Sequence, residues 1–271
     1  MNFVFWNAGN RSQQSALINL ISATNANITV LAEYADDDAA LLRGLYSTGI
    51  DYYALPTIGC PRIKIFSDTP PDHFSIIREA DRYSIRKFSR SGLEPILLAL
   101  VHLPSKLYMS ETDQLQDIVF FRQDIEEAEQ VTEISHTIVL GDFNMNPYEK
   151  GMVAATGMHS LPCLRTALSG GRMVQRREYS YFYNPTWNLF GDTEGIPGTY
   201  YHSNPGYDAR FWNILDQVIL RPSIAKRLDR QSLRIVTEAR DTNFLDNKGH
   251  PGISDHLPLF FSLDLSIGGE K

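Results

Sequence analysis

Cysteine is nearly absent: Cys60 and Cys163 are the only two in 271 residues. Two thiols cannot build a disulfide framework, and no Cys-x-x-Cys or paired-histidine spacing offers a structural zinc site, so both are expected as reduced thiols. Also missing is any apolar run near the roughly 20 residues a membrane helix needs, so no membrane insertion is expected. Positive charge is short as well, with 25 Lys and Arg against 32 Asp and Glu and a formal charge of −7. That balance argues against a protein that coats nucleic acid by charge alone, which needs clustered bases. It leaves room for an enzyme that handles phosphates through a bound cation, because the cation reverses the local field. Gly-x-x-x-x-Gly-Lys-Ser/Thr, Gly-x-Gly-x-x-Gly and Gly-x-Ser-x-Gly are all absent, which disfavours an ATPase, a dehydrogenase or an ordinary serine hydrolase. No repeat or low-complexity segment appears, and no protein partner can be inferred. No basic region followed by a long apolar segment opens the chain; Asn2 to Asn7 already reads as strand, so a cytoplasmic protein is expected.

What is present is a series of short apolar strands. Phe3 to Trp6 and Ile28 to Ala32 read as buried strands, the first followed by a helix opening at Asn10 or Ser12 with Leu17, Ile18 and Ile21 on one face. Asp36, Asp37 and Asp38 cap a helix through about Leu45, where acids favour the positive end of the helix dipole; a metal cluster is the other reading of those three acids. Tyr52 to Leu55, Arg62 to Phe66, Phe74 to Arg78, Tyr83 to Phe88 and Ile96 to Val101 form a meander separated by Pro, Gly and Asp turns. Thr112 to Val131 is the longest helical pattern, with Leu115, Ile118, Val119, Ile125 and Ala128 as its apolar stripe. Further strands are expected at Thr137 to Leu140, Ser180 to Tyr183, Gly198 to Tyr201, Ile214 to Leu220, Leu233 to Val236 and Leu257 to Leu265. This order fits one α+β domain spanning residues 1–271, a four-layer α/β/β/α sandwich with two mainly antiparallel sheets, better than a regular βαβ alternation.

Polar residues recur where these apolar strands stop. Asn7 follows Phe3 to Trp6, Glu33 follows Ile28 to Ala32, His102 follows Ile96 to Val101, and Asp142 with Asn144 follows Thr137 to Leu140. Asp216 interrupts the apolar run Ile214 to Ile219, and a charge is seldom buried without a partner. His256, in Ser254-Asp255-His256 just before the last apolar run, is the candidate partner.

Trp6-Asn7, Leu31-Ala32-Glu33, Val101-His102-Leu103, Gly141-Asp142-Phe143-Asn144, Leu215-Asp216-Gln217-Val218-Ile219 and Ser254-Asp255-His256 together resemble the endonuclease/exonuclease/phosphatase superfamily of metal-dependent phosphoesterases. The pieces stand in the family's order over nearly the whole chain. The resemblance implies that Glu33 and Asn7, with Asp255 nearby, bind Mg²⁺ or Mn²⁺, hard cations suited to oxygen donors. It implies that Asp216 orients His256, that His256 or Asp142 activates the attacking water, and that Asn144 and His102 donate hydrogen bonds to the phosphate or leaving group. His102 stands where apurinic-site endonucleases carry an aromatic residue, and so is closer to the deoxyribonuclease and sphingomyelinase branches. The acid that pairs with that histidine in deoxyribonuclease has no clear counterpart around Tyr52 to Gly59.

The expected activity is therefore hydrolysis of a phosphate ester by metal-organised water, with nucleic acid, DNA or RNA, as the leading substrate for an endonuclease or exonuclease. A small phosphorylated molecule or a phospholipid head group is the alternative, and a metal-binding interaction module without catalysis is the third. Tyr181, Phe182, Tyr183, Trp187, Phe190, Tyr200, Tyr201, Tyr207 and Trp212 lie in an irregular stretch that could stack bases or form its own compact core. Arg165, Arg172, Arg176 and Arg177 could follow a nucleic-acid backbone.

Overall fold

A computed structural model of the chain describes residues 1–106, 109–192, 195–204 and 206–268. A six-stranded sheet joins β1 (Asn2–Asn7), β2 (Ile28–Ala32), β3 (Tyr53–Leu55), β4 (Ile63–Ser67), β16 (Leu228–Ile235) and β19 (Leu259–Leu263), in the order β16-β19-β1-β2-β4-β3. A seven-stranded sheet joins β5 (Phe74–Ala80), β6 (Tyr83–Phe88), β7 (Ile96–His102), β8 (Thr137–Asp142), β9 (Ser160–Leu161), β12 (Phe182–Tyr183) and β15 (Asp216–Leu220), in the order β5-β6-β7-β8-β15-β12-β9. Three small hairpins stand apart: β10 (Gly171–Val174) with β11 (Arg177–Ser180), β13 (Tyr200–Tyr201) with β14 (Trp212–Asn213), and β17 (Glu238–Ala239) with β18 (Thr242–Asn243).

The strand alternation explains the layers. Phe3, Phe5, Ile28, Val30, Ile63 and Ile65 of the first sheet meet Leu98, Leu100, Ile138, Leu140, Val218 and Leu220 of the second in one shared core. Val4, Trp6, Leu31 and Phe66 point the other way and pack under α1 (Gln14–Thr24) and α2 (Asp38–Ser47). Leu97, Ala99, Val101 and Val139 likewise pack under Ile118, Phe121, Ile125 and Ala128 of α3 (Glu111–Thr132). Strands with apolar residues on both faces are what a doubly covered sheet requires. The result is the α+β four-layer sandwich, with sheets that are mainly antiparallel. Single helical turns α4 (Lys150–Val153), α5 (Leu164–Ala167) and α6 (Pro222–Ala225) lie in the connections of its second half.

Two of the three parallel pairings position the polar strand ends; the third joins β12 and β9. β1 and β2 pair in parallel, as do β7 and β8. Parallel neighbours need a crossover, and α1 and α3 supply the two. The carboxyl ends of all four strands therefore lie at one pole, the end of such sheets where ligands gather. β15 runs antiparallel to β8 in a register that sets Asp216 against Asp142, while His102 lies against Asp142 from the other side.

Local details refine the sequence expectations. α1 begins at Gln14, after Asn10 takes a left-handed turn, so the helix opens later than Asn10 or Ser12. The three acids at 36–38 divide their work: Asp36 accepts from the Gln13 backbone N–H, Asp37 caps α2 through Ala39 and Ala40, and Asp38 pairs with Lys64. This is the capping reading, with no shared centre for a metal. β16 begins at Leu228, five residues before the expected Leu233. The β10–β11 hairpin lies outside the strands that the sequence pattern predicts. Cys60 is buried, Cys163 is exposed, and both are free thiols. Among the described residues no helix is long and apolar enough to cross a membrane.

Candidate functional site

The common pole gathers nearly every residue singled out in the sequence. Asn7, His102, Asp142, Asp216 and His256 are buried there, Glu33 and Asn144 are partly exposed, and Asp255 is exposed at the rim. Glu33 follows the last residue of β2 in a left-handed conformation (φ +48°), as does Asn144 two residues beyond β8 (φ +50°). Left-handed backbone is uncommon for such residues and tends to cluster at functional sites. In both cases it swings the side chain out of the strand's alternation.

The deepest element is an Asp–His pair. Nδ1 of His256 lies 2.8 Å from Oδ2 of Asp216, which makes Nδ1 the donor and leaves Nε2 pointing outward, 3.9 Å from Oδ2 of Asp142. The histidine's backbone is fixed at both ends: its N–H donates to Ser254 Oγ at 3.2 Å and its carbonyl accepts from Trp6 Nε1 at 3.0 Å. Burial works against the charged imidazole, but the carboxylates of Asp216 and Asp142 outweigh it and push His256 up to about 10. Burial also raises Asp216, against the pull of His256. The cluster therefore holds a proton firmly.

Asp142 is the hub. Its Oδ1 accepts from the Asn144 backbone N–H at 2.8 Å and its Oδ2 from Asn7 Nδ2 at 3.1 Å. His102 Nε2 lies 3.4 Å from Glu33 Oε1 and 3.9 Å from Asp142 Oδ2. Asn7 Nδ2 is also 3.5 Å from Glu33 Oε1, and Asn10 Nδ2 donates to Glu33 Oε2 at 2.9 Å. Thus the acids facing His102 are Glu33 and Asp142, while His102 Nδ1 is buried without a hydrogen-bond partner among the described residues. Asn144 spends one side-chain N–H on the Leu103 carbonyl at 2.8 Å, leaving the second for a ligand.

Two donor groupings bear on metal binding. Asp142, Asp216 and His256 each bring one donor atom within 4.8 Å of the others, a spacing that could hold an ion. Yet Asp216 Oδ2 and His256 Nδ1 are already spent on each other, and this group has no partly exposed member, as Glu33 is, to admit the waters that a hard cation keeps. Glu33 and Asp142 instead turn carboxylate oxygens toward the same two side chains, Asn7 and His102, with no Lys or Arg bridging them among the described residues. Two converging acids, one of them partly open to solvent at Glu33, suit a divalent cation. Asn7 at present offers its N–H₂ to these acids while its Oδ1 accepts from the Gly9 N–H at 3.1 Å. Asp255 stands beside Gly9, its Oδ1 3.3 Å from Ser254 Oγ.

Two contributors are not assigned to the site by the sequence: Thr199 carries no signal, and Tyr200 reads only as a base-stacking or loop-core aromatic. Thr199 Oγ1 accepts from the backbone N–H of both Leu215 and Asp216, each at 3.2 Å. Tyr200 lays its ring 4.9 Å from the His256 imidazole. Only contact across the fold reveals these roles.

The aromatic and basic insertion divides. Tyr181, Phe182 and Tyr183 are core residues. Tyr201 stacks on His250 and packs on Trp212, so this part is its own small core. Thr193, Glu194 and Pro205 of the stretch lie outside the described residues. The arginines at 165–177 do not line the pole. β15 runs away from Asp216 to Leu220, Tyr183 pairs with Leu220, and the β10–β11 hairpin precedes that point. Arg172 instead donates to His159 Nε2 at 3.1 Å, and Arg165 sits on α5, packed beside α6. They cannot follow a phosphate backbone through the site because the strand direction sends them to the opposite end.

No family model and no curated protein matches the sequence. Solved structures do match. An endonuclease/exonuclease/phosphatase family protein from Bacteroides thetaiotaomicron aligns over 96% of each chain with a TM-score of 0.57 and 13% identity. D. rerio TDP2, solved with a single-strand DNA product, aligns over 97% of this chain and 98% of its own, with a TM-score of 0.58 and 16% identity. An AP endonuclease from Archaeoglobus fulgidus aligns over 97% and 99%, with a TM-score of 0.56 and 16% identity. At these identities the likeness is one of fold.

Proposed function

We propose that this chain, which has the fold of the endonuclease/exonuclease/phosphatase proteins, is a metal-dependent phosphodiesterase that cleaves nucleic acid as an endonuclease or exonuclease. The observation that carries this reading is the convergence of Asn7, Glu33, His102, Asp142, Asn144, Asp216 and His256, distant in sequence, at one pole of two sheets. Glu33 would hold Mg²⁺ or Mn²⁺, with Asn7 after rotation of its amide and Asp255 from the rim. Such a cation supplies positive charge against the phosphate and its leaving oxygen.

The chain's own groups supply the rest. His256, held in its protonated form, presents Nε2–H to a phosphoryl oxygen, while Asp216 anchors the Nδ1 edge of the ring. A histidine that already carries its proton is better placed to donate than to accept one. Asp142 is then the group to take the proton of the attacking water at Oδ2. His102 Nε2–H and the second N–H of Asn144 are donors for the remaining oxygens. Positioning and charge stabilisation account for most of the acceleration such a reaction needs.

Nucleic acid is favoured by two features. Proteins of this fold include one solved with single-strand DNA product and one described as an AP endonuclease. Tyr148, on the loop after Asn144, and Phe190, after the helical turn Pro185–Leu189, form an exposed edge-to-face pair 5.7 Å apart, with Arg210 reaching the Tyr148 hydroxyl at 3.4 Å, a surface suited to stacking a base. A small phosphorylated molecule is the second reading, favoured by the acidic net charge and by the removal of the 165–177 arginines from the pole.

With Mg²⁺ or Mn²⁺ the purified protein is expected to hydrolyse bis(p-nitrophenyl) phosphate, and His256→Ala and Asp142→Ala to abolish the activity. Undiminished turnover in both variants would refute the site. A panel of DNA, RNA, nucleotides, inositol phosphates and lipids then separates the two substrate readings.

A further inference from the structure

The hydrogen bond from His256 Nδ1 to Asp216 Oδ2, 2.8 Å long, fixes one edge of the imidazole and leaves the ring able to pivot about that edge. Any pivot would carry Nε2 away from Asp142. The structure holds the ring by a second means. The dipeptide Thr199-Tyr200 touches both members of the pair. Thr199 accepts at Oγ1 from the Leu215 and Asp216 N–H groups, and at its carbonyl from the Leu257 N–H at 2.7 Å. Tyr200 makes a β-bridge with His256 and sets its ring against the imidazole, centroid to centroid 4.9 Å at 47°.

The direction of that ring is built in. Tyr200 pairs with Asn213 across the β13–β14 hairpin, and Asn213 Oδ1 accepts from Asn146 Nδ2 at 2.8 Å, which ties this face to the loop beyond Asp142. Tyr201 points the other way, as strand alternation demands, onto Trp212 and His250. The Tyr200 hydroxyl makes no hydrogen bond among the described residues, so the ring is the part of the side chain that His256 meets.

We propose that Tyr200 is a positioning residue for His256, its ring closing the open face of the imidazole so that Nε2 stays aimed at Asp142. This assigns Tyr200 to the catalytic pair and takes it out of the base-stacking set. The kinetic arm of the test rests on the phosphodiesterase reading; the spectroscopic arm does not.

The experiment compares Tyr200→Phe, Tyr200→Leu and Tyr200→Ala in protein carrying ¹⁵N-labelled histidine, with the His256 ring signals assigned by their loss in His256→Gln. Wild type and Tyr200→Phe are expected to show one sharp set of His256 ring ¹⁵N signals, with the Nδ1 proton held by Asp216. Tyr200→Ala and Tyr200→Leu are expected to broaden or shift those signals alone. On bis(p-nitrophenyl) phosphate with Mn²⁺, kcat is expected to fall about tenfold or more in Tyr200→Ala and Tyr200→Leu, with KM changed less than about twofold, and to be rescued to within about threefold in Tyr200→Phe. Where Tyr200→Ala does not fold, Tyr200→Leu, which fills the volume without a flat face, decides the question. The proposal is overturned if the His256 signals and kcat are unchanged without the aromatic ring, or if Tyr200→Phe is as damaged as Tyr200→Ala, which would assign the effect to the hydroxyl. A wild type inert toward every ester removes the phosphodiesterase reading, and the His256 spectra still decide the role of Tyr200.

Discussion

A carboxylate with no exposed surface is tolerated only if something compensates its charge, and at Asp216 that is His256. Replacing Asp216 by Asn keeps the shape and removes the charge that makes His256 a durable donor. Asp216→Asn is expected to lower kcat by about 10²- to 10⁴-fold, the range for a positioned acid–base group, with KM nearly unchanged in steady-state assays. A second histidine answers to pH in the opposite sense. His159 is buried, its Nε2 accepts from Arg172 Nε at 3.1 Å, and its Nδ1 faces the Ser180 carbonyl at 3.2 Å. The Arg172 contact requires the neutral ring, because Nε2 can accept only when it carries no proton. Burial lowers its proton affinity below the ordinary 6.5, and Arg122 and Arg172 lower it further. The unfolded chain then binds the proton more readily than the folded one, so the stabilisation present above pH 6.5 is lost as pH falls. Urea unfolding at pH 7.5 and 5.5 is expected to show a loss of stability that His159→Gln reduces; an equal loss in the variant would discard the assignment. At this scale the sequence was informative where a polar residue broke an apolar run, as at Glu33, His102, Asp142 and Asp216. It was silent on Thr199 and offered Tyr200 only as a base-stacking or loop-core residue, and the acid opposite His102 could not be found near residues 52–59 because Asp142 reaches it from the neighbouring strand and Glu33 from the other sheet.

The pole depends on β7 and β8 lying close enough to set His102 beside Asp142. Gly141 permits this: a Cβ there would lie 1.9 Å from the Val101 carbonyl oxygen. Backbone cannot yield as a flexible side chain does, so Gly141→Ala must part the two strands next to the site. It is expected to cost about 2–4 kcal/mol in urea unfolding, the range for severe overpacking, and to depress kcat in the remaining folded protein. Wild-type stability would mean that the strands are not so close. The central strands were readable because both faces are apolar, and α3 because its stripe is long and regular. The β10–β11 hairpin was not, for two physical reasons. Its residues are partly or fully exposed, which removes the alternation, and its turn places Gln175 and Arg176 in left-handed conformations (φ +46° and +65°) in place of the usual Asn-Gly.

Across the whole molecule the sheets separate two kinds of basic surface, and the separation can be tested. Arg62 immediately precedes the Ala32–Ile63 pair that closes the β2–β4 register, and Arg82 sits in the β5–β6 turn, where its carbonyl accepts from the His102 N–H at 2.9 Å. Both guanidinium groups approach Asp81, Arg62 at 3.1 Å and Arg82 at 4.0 Å, so two positive charges share one acid at the rim of the pole. Arg176 and Arg177 lie past the other end of β15, and four residue steps of strand alone separate Asp216 from Leu220 by about 13 Å. At physiological salt that distance exceeds the screening length of about 8 Å, so the hairpin cannot attract a phosphate held at the pole. On a DNA or RNA oligonucleotide, Arg62→Ser with Arg82→Ser is expected to raise KM and to reduce the dependence of log(kcat/KM) on log salt by about 0.7–0.9 for each phosphate no longer neutralised. Arg176→Ser with Arg177→Ser is expected to change neither. Hydrolysis of bis(p-nitrophenyl) phosphate, too small to span the rim, should be altered little by either double variant. If the hairpin variants lose salt dependence while the rim variants keep it, the substrate runs over the far end of the molecule and nucleic acid is not held as proposed.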